Sequence, residues 1–305
     1  MPVTSTDVIE RTIHIDAKPE TVFEFLSDSD RFSSWAGRST TMDPRPGGLF
    51  RIDYNGFDIM RGNFVEIVPP SRIVFTWGWE TLGDQVRPGQ STVTVTLEPE
   101  GDGTRLRLLH EGLGQMDLQG HADGWDFFLS RLVESVAGRD VGPFAPPLTD
   151  AEEYASRLNS LLYQAREVLE AMPDRSWKSM TSEQRATNAL AQHMVDHLGL
   201  VGVALDVAHG NPSPVNDFTL EMLNAGNAQG DRANKDVTRD AVLAALLAQG
   251  PQAVEKLKAF SDEELAGSMP MALSGGQPTA ARVLIEGPVL NDIAAHLAHI
   301  RAAAG

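Results

Sequence analysis

The chain changes its hydrophobic period near residue 113. Before that point apolar residues mostly alternate with polar ones. "RIVFTWGW" places Ile73, Phe75, Trp77 and Trp79 on one face, "STVTVTLEP" does the same with Val93, Val95 and Leu97, and "TRLRLLHEG" with Leu106 and Leu108. Thr and Arg fill the opposite face, as in antiparallel strands with one wet side. Turn signals separate the runs: "PRPGG", "NG", "PPS" and "EGDG". Two helical stretches bracket the strands. "KPETVFEFLSDSDRFSSW" carries Val22, Phe23, Leu26 and Phe32 at helical spacings, with a break at its Asp/Ser cluster. "HADGWDFFLSRLVESVAGR" carries Trp125, Phe128, Leu129, Leu132 and Val136 on one stripe and ends at Gly138.

A strand, short helices, a run of strands and one long helix make an α+β order. A sheet wrapped around one long helix leaves a gap, and an apolar gap holds a small ligand. The candidate cavity residues are Trp77, Trp79, Trp125, Phe128 and His110, the last sharing parity with Leu106 and Leu108. His110 either faces the cavity or sits at the sheet margin, and the aromatic residues read as cavity wall and core rather than as a dedicated recognition box. Asp53, Tyr54 and Arg61 are further polar candidates on strands.

"GRDVGPFAPPLTD" has no apolar period and reads as a linker. After it Thr149 opens a capping box with Glu152. From there the period is helical to the end, in four long stretches: "AEEYASRLNSLLYQAREVLEAM", "SEQRATNALAQHMVDHLGLVGVALDVA", "TRDAVLAALLAQGPQAVEKLKAF" and "PVLNDIAAHLAHIRAA". They predict a four-helix bundle. The expected division is therefore a ligand-binding domain at 1–140, a linker at 141–148 and an all-α bundle at 149–305.

Composition narrows the chemistry. A net charge of -17 over 305 residues repels phosphate, which argues against nucleic acid and anionic membrane surfaces as partners. The opening "MPVTSTDVIERTIHIDA" lacks the basic and apolar regions of a leader. The most apolar stretch, "LGLVGVALDVA", is too short to span a bilayer. A cytoplasmic location is the expectation. With no cysteine in the chain, a transition-metal site must use His, Asp or Glu. His193 and His197 are spaced i, i+4, as are Asp292 and His296, with His299 three residues further on. Such pairs are metal ligands in some bundles and packed polar residues in others. No Ser-His-Asp spacing, phosphate-binding loop or dinucleotide fingerprint stands out.

The segments "KPETVFEFLSDSDRFSSW", "GGLFRIDY", "GNFVEIVPPSRIVFTW" and "GWDFFLSRL" resemble the SRPBCC, or START-like, superfamily with its helix-grip fold. Within it they are most similar to the branch named for homologues of the activator of the ninety-kilodalton heat-shock ATPase. The resemblance implies an antiparallel sheet around a long C-terminal helix and binding of a small apolar or aromatic molecule. The second half resembles the DinB-like four-helix bundles, which include the N-terminal domains of mycothiol-dependent maleylpyruvate isomerases. "LAQHM" and "HLAHIR" stand where that family carries its second-helix and last-helix ligands. This implies a divalent metal (Zn, Ni or Fe) on His193, Asp292 and His296, with His197 and His299 as substitutes. It also implies a low-molecular-weight thiol and transfer, isomerisation or hydrolysis. Asp292 departs from the family's longer Glu or His.

Three functions compete on these grounds. One is a metal-dependent enzyme whose first domain recognises or delivers a substrate. Another is a non-enzymatic ligand-binding protein whose bundle is an interaction module. The third is a stress-response, co-chaperone-like protein. A homodimer is compatible with each.

Overall fold

The computed structural model describes residues 8–83, 86–212 and 214–305, which divide into two compact units, 1–147 and 148–305. The opening residues 1–7, part of the stretch read as lacking a leader, lie outside the described residues. No described helix is long and apolar enough to cross a membrane.

The first unit runs β1 (Val8–Ile15), α1 (Pro19–Ser27), α2 (Ser29–Ser33), β2 (Ser39–Met42), β3 (Leu49–Asp53), β4 (Ile59–Val68), β5 (Arg72–Trp77), β6 (Ser91–Glu100), β7 (Gly103–Glu111) and α3 (Leu118–Val136). Asp28 makes the break between the two short helices, because its carboxylate accepts the N–H groups of Asp30 and Arg31 and caps the second. The strands form one antiparallel sheet in the order β1-β7-β6-β5-β4-β3-β2. The registers Phe75↔Val93 and Val93↔His110 bring the alternating apolar residues onto one face. Trp125, Leu129 and Leu132 of α3 are buried in the same core as Phe75, Val95 and Leu108. Burying each such side chain is worth about 1.5–3 kcal/mol. On the wet side, Arg107 pairs with Glu10 and Arg105 with Glu98.

The segment read as a linker is docked onto this unit. Arg131 on α3 donates to the carbonyls of Val141 and Gly142. Phe144 packs its ring against Tyr54, Phe127 and Phe128. One guanidinium and one aromatic ring thus hold a stretch that carries no periodic pattern of its own.

The second unit runs α4 (Asp150–Ala171), α5 (Thr187–Asp196), α6 (Leu200–Ala208), α7 (Leu220–Ala233), α8 (Arg239–Lys258), α9 (Asp262–Ala266), β8 (Ser268–Met271), β9 (Gln277–Ala280), α10 (Ala281–Leu284) and α11 (Asp292–Ala304). The Thr149–Glu152 capping box starts α4. Helix α4 packs on α8 and α11, and α5 packs on the same two. Three features differ from the expected pattern. Helix α7, which buries no residue, stands outside the four expected helical stretches. The hairpin of β8 and β9 pairs Pro270 with Pro278, residues that argue against a strand. Helix α11 is preceded without a break by a π-helical turn, Ile285–Asn291, that contains Pro288. Proline lacks the N–H of a regular helix, and the widened turn accommodates it.

Candidate functional site

Two sites emerge, one in each unit. In the first, an outer chamber of about 390 Å³ opens between β5 and α3. Its walls include Tyr54, Trp77, Trp79, His121, Trp125 and Phe128. Behind it lies an apolar hollow of about 30 Å³ that shares Tyr54, Trp77, Trp125 and Phe128. The four aromatic residues expected to wall a cavity all line the outer chamber. The rings pack in tilted and edge-on pairs, Trp77 against Trp125 at 5.3 Å and against Trp79 at 5.6 Å.

Gly78 stands between the two tryptophans. A Cβ there would stand 1.9 Å from the Arg87 carbonyl, so only glycine lets the following loop cross so closely.

His110 is buried behind the chamber wall rather than lining it. The Trp125 indole donates to His110 Nδ1 at 3.1 Å, and His110 Nε2 lies 2.9 Å from Ser91 Oγ. An indole N–H only donates, so Nδ1 carries the lone pair and Nε2 the proton. Ser91 then passes its own proton to the Trp77 carbonyl at 3.2 Å. Burial, with the neighbouring His121, pushes the His110 pKa down to about 3. It is therefore a neutral, fixed link between sheet and helix.

His121 escaped the sequence reading, although His121, Trp125 and Phe128 follow the i, i+4, i+7 spacing of one helix face. It accepts from the Trp79 indole at 3.2 Å through Nε2, and its Nδ1 donates to the Asp117 carbonyl at 2.8 Å. Of the other polar candidates, Tyr54 is buried in the wall, and burial drives its phenol pKa strongly upward. Asp53 accepts the Gly56 N–H in a turn, and Arg61 lies 3.6 Å from Glu80, which also takes a forked bond from Arg51.

In the second unit, His193, His197 and His296 come together. One ring nitrogen from each lies within 4.8 Å of the others. His193 and His197 approach through their Nε2 atoms at 3.1 Å. Nδ1 of His197 donates to the Pro288 carbonyl, which leaves its Nε2 as an acceptor. Nδ1 of His296 donates to Glu183 at 3.2 Å, which turns its Nε2 the same way. His299 stands outside the group. It lies 3.1 Å from the same Glu183 oxygen and 2.6 Å from Ser182 Oγ. Asp292 is exposed, one turn before His296, and lines the adjoining cavity without joining the three imidazoles.

This donor set fits a borderline divalent ion. In a tetrahedral centre with Zn–N of about 2.0–2.1 Å, neighbouring donors stand roughly 3.3 Å apart. Burial pushes His193 down to about 3, helped by Arg185 and the other two imidazoles, and burial also lowers His296. Neutral imidazole is the form that binds metal. The group borders a cavity of about 760 Å³ with an apolar side (Leu200, Val203, Phe218, Leu223) and a polar one. Arg185 and Asp231 form a forked ion pair across that polar side.

Residues 16–137 match the family model described as Activator of Hsp90 ATPase homolog 1-like protein. A solution structure of an AHSA1-like protein from Rhizobium etli is 40% identical and covers 45% of this chain and 85% of its own, with a TM-score of 0.38. The Aha1 dimer from Colwellia psychrerythraea is 19% identical over 44% of this chain and 97% of its own, with a TM-score of 0.37. DynU16, a protein of the dynemicin biosynthetic locus, is 20% identical over 46% of this chain, with a TM-score of 0.41. The chain spans about half, 51%, of the length of DynU16. No curated protein matches the chain. The likeness to Activator of Hsp90 ATPase homolog 1-like proteins is therefore one of the first domain, over residues 16–137.

Proposed function

We propose that this protein handles a small apolar or aromatic molecule, bound in the chamber of its first domain, and that its second domain is a DinB-like bundle holding a divalent metal. The observation that carries the metal half is the convergence of His193, His197 and His296 at the border of a 760 Å³ cavity. Three protein ligands leave a position open for water or substrate, as in catalytic sites. When bound, a zinc, nickel or iron ion supplies Lewis acidity and lowers the pKa of water or a thiol. Thiol-dependent transfer, isomerisation or hydrolysis, with a low-molecular-weight thiol as co-substrate, is the reaction class that the resemblance to DinB-like bundles implies.

The chain's own residues have definable tasks in this reading. Pro288 and Glu183 fix the tautomers of His197 and His296, so that both present Nε2. His193 would hold the metal through Nε2, with its proton on Nδ1. The wall of Leu200, Val203 and Phe218 excludes water beside the open position. A cytoplasmic location and a homodimer belong to the same proposal, the latter in line with the dimer named for the Colwellia relative.

The test is elemental analysis of untagged protein purified without chelator, alongside His193→Ala and His296→Ala. Near-stoichiometric metal that both variants lose supports the enzyme. Absence of metal after incubation with zinc, nickel and ferrous ions overturns it and leaves the non-enzymatic ligand-binding protein. Stimulation of a chaperone ATPase by the metal-free protein would favour the co-chaperone-like role.

A further inference from the structure

The chamber of the first domain is poor in donors. Three indoles line it, and the N–H edge of each is spent or covered. Trp125 Nε1 donates to His110, Trp79 Nε1 donates to His121, and Trp77 Nε1 is buried. His121 accepts through Nε2, so its one proton sits on Nδ1 and goes to the Asp117 carbonyl. The described lining holds no Lys or Arg, and Tyr54 brings its one hydroxyl. What the indoles leave to the chamber is carbon, as π face and C–H edge.

Acceptors are plentiful by contrast. Asp58 and Asp117 both line the chamber. The Asp58 carboxylate accepts from a neutral amide, Asn55 Nδ2, at 2.7 Å. Asp117 stands at the N-terminal end of α3, where its side chain caps no backbone N–H. Among the described residues neither carboxylate has a Lys or Arg as partner. The positive end of a helix draws anions, and at α3 the chain itself has placed one there. Half-buried Trp79 stands 5.6–5.9 Å, centroid to centroid, from the rings of Tyr54, Trp77 and His121. The π face of such a ring attracts a cation, most strongly where water is excluded.

Each class of guest fares differently here. An anion loses its hydration and meets two like charges. A neutral guest gains apolar contact alone. A cation gains the same contact together with two counter-charges and the π systems. We propose that the chamber selects a cation: an apolar or aromatic molecule carrying an alkylammonium group, held against the aromatic wall and balanced by Asp58 and Asp117. The inference rests on reading the chamber as a ligand site. It adds the charge of the guest and the residues that select it.

The experiment titrates the full chain with three probes of one outline. They are para-hydroxyphenyltrimethylammonium, its neutral isostere para-tert-butylphenol, and the anion para-phenolsulfonate. Affinities are read from the indole N–H resonance of Trp79 by NMR, assigned as the one missing from Trp79→Leu. The ammonium probe should bind roughly three- to thirtyfold more tightly than the neutral one, the range for a cation over an aromatic face. The sulfonate should leave the resonance unmoved. A chain of net charge -17 attracts cations over its whole surface, so two variants locate the preference. Asp58→Asn combined with Asp117→Asn should remove most of it and leave the neutral probe's affinity unchanged. Trp79→Leu, followed through the Trp125 resonance, should reduce it. Where one variant folds poorly, the other decides.

Binding of the neutral probe as tightly as the ammonium, with the Trp79 resonance moved by both, overturns the cationic class and leaves the chamber as a ligand site. Tightest binding of the sulfonate overturns it as well. A preference for the ammonium that survives in the Asn variant and in Trp79→Leu belongs to the general surface charge, and also overturns the proposal. If none of the three moves the resonance, the cationic class falls together with the reading of the chamber.

Discussion

His193 and His197 meet through Nε2 atoms 3.1 Å apart, and the far nitrogen of His197 is committed to the Pro288 carbonyl. This places His197, rather than Asp292, beside His193 and His296. Zinc affinity, measured by competition with a chromogenic chelator, should fall at least about a hundredfold in His197→Ala. In Asp292→Ala it should change by less than about threefold, because that carboxylate stands outside the group. The reverse order would return the third ligand to Asp292.

Glu183 accepts from His296 Nδ1 and also lies 3.1 Å from His299 Nε2. Replacing it by Gln keeps the shape and removes the charge that orients the His296 imidazole. Zinc affinity should drop about tenfold, within the range for groups that position metal ligands. The same titration on Ser182→Ala, which leaves Glu183 in place, should show little change.

His110 carries a pH dependence of definite sign. Its pKa is about 3 in the folded chain, against about 6.5 for an unperturbed imidazole. Between those values the unfolded chain binds a proton that the folded chain refuses. The contribution of this residue is complete above about pH 6.5 and is lost as the pH falls toward 3, on the order of a few kcal/mol across the window. Denaturant melts of the first domain between pH 7 and about 4 should show this loss, and His110→Gln should flatten it. A steeper decline in the variant would contradict the assignment.

Gly78 has the Arg87 carbonyl where its Cβ would be, at 1.9 Å. Gly78→Ala must push the crossing loop away or strain the strand, and should cost about 1–3 kcal/mol of stability. Gly124 on α3 also lines the chamber, but a Cβ there meets nothing within 4 Å. Gly124→Ala should therefore leave the melting temperature unchanged or raise it slightly. Thermal melts of the two variants give the comparison.

Which parts of this structure were legible in the sequence follows from what burial writes into a chain. The strands through Phe75, Val93 and Leu106, and the helix through Trp125 and Leu132, bury one face each, and the face repeats at the period of the element. Helix α7 buries nothing, and its large apolar residues, Leu220, Met222 and Leu223, are confined to its first turn. The aromatic wall was legible because Trp77 and Trp79 share strand parity. The hydrogen bonds that hold it were not, since the partners of Trp125 and Trp79, His110 and His121, come from β7 and from the start of α3. In the second domain the i, i+4 spacing of His193 and His197 fixed their common face. Which residue joins His296 depends on how the π-helical turn at Pro288 sets the last helix, and spacing alone does not record that.

Phe144 gives the docked segment a consequence for how the protein is cut. Its ring covers Tyr54 and Phe128, which line the chamber. A fragment ending just after α3 keeps the whole sheet and its long helix but loses the ring that backs two residues of its own cavity wall. A fragment that melts cooperatively is therefore not evidence that its cavity wall is whole.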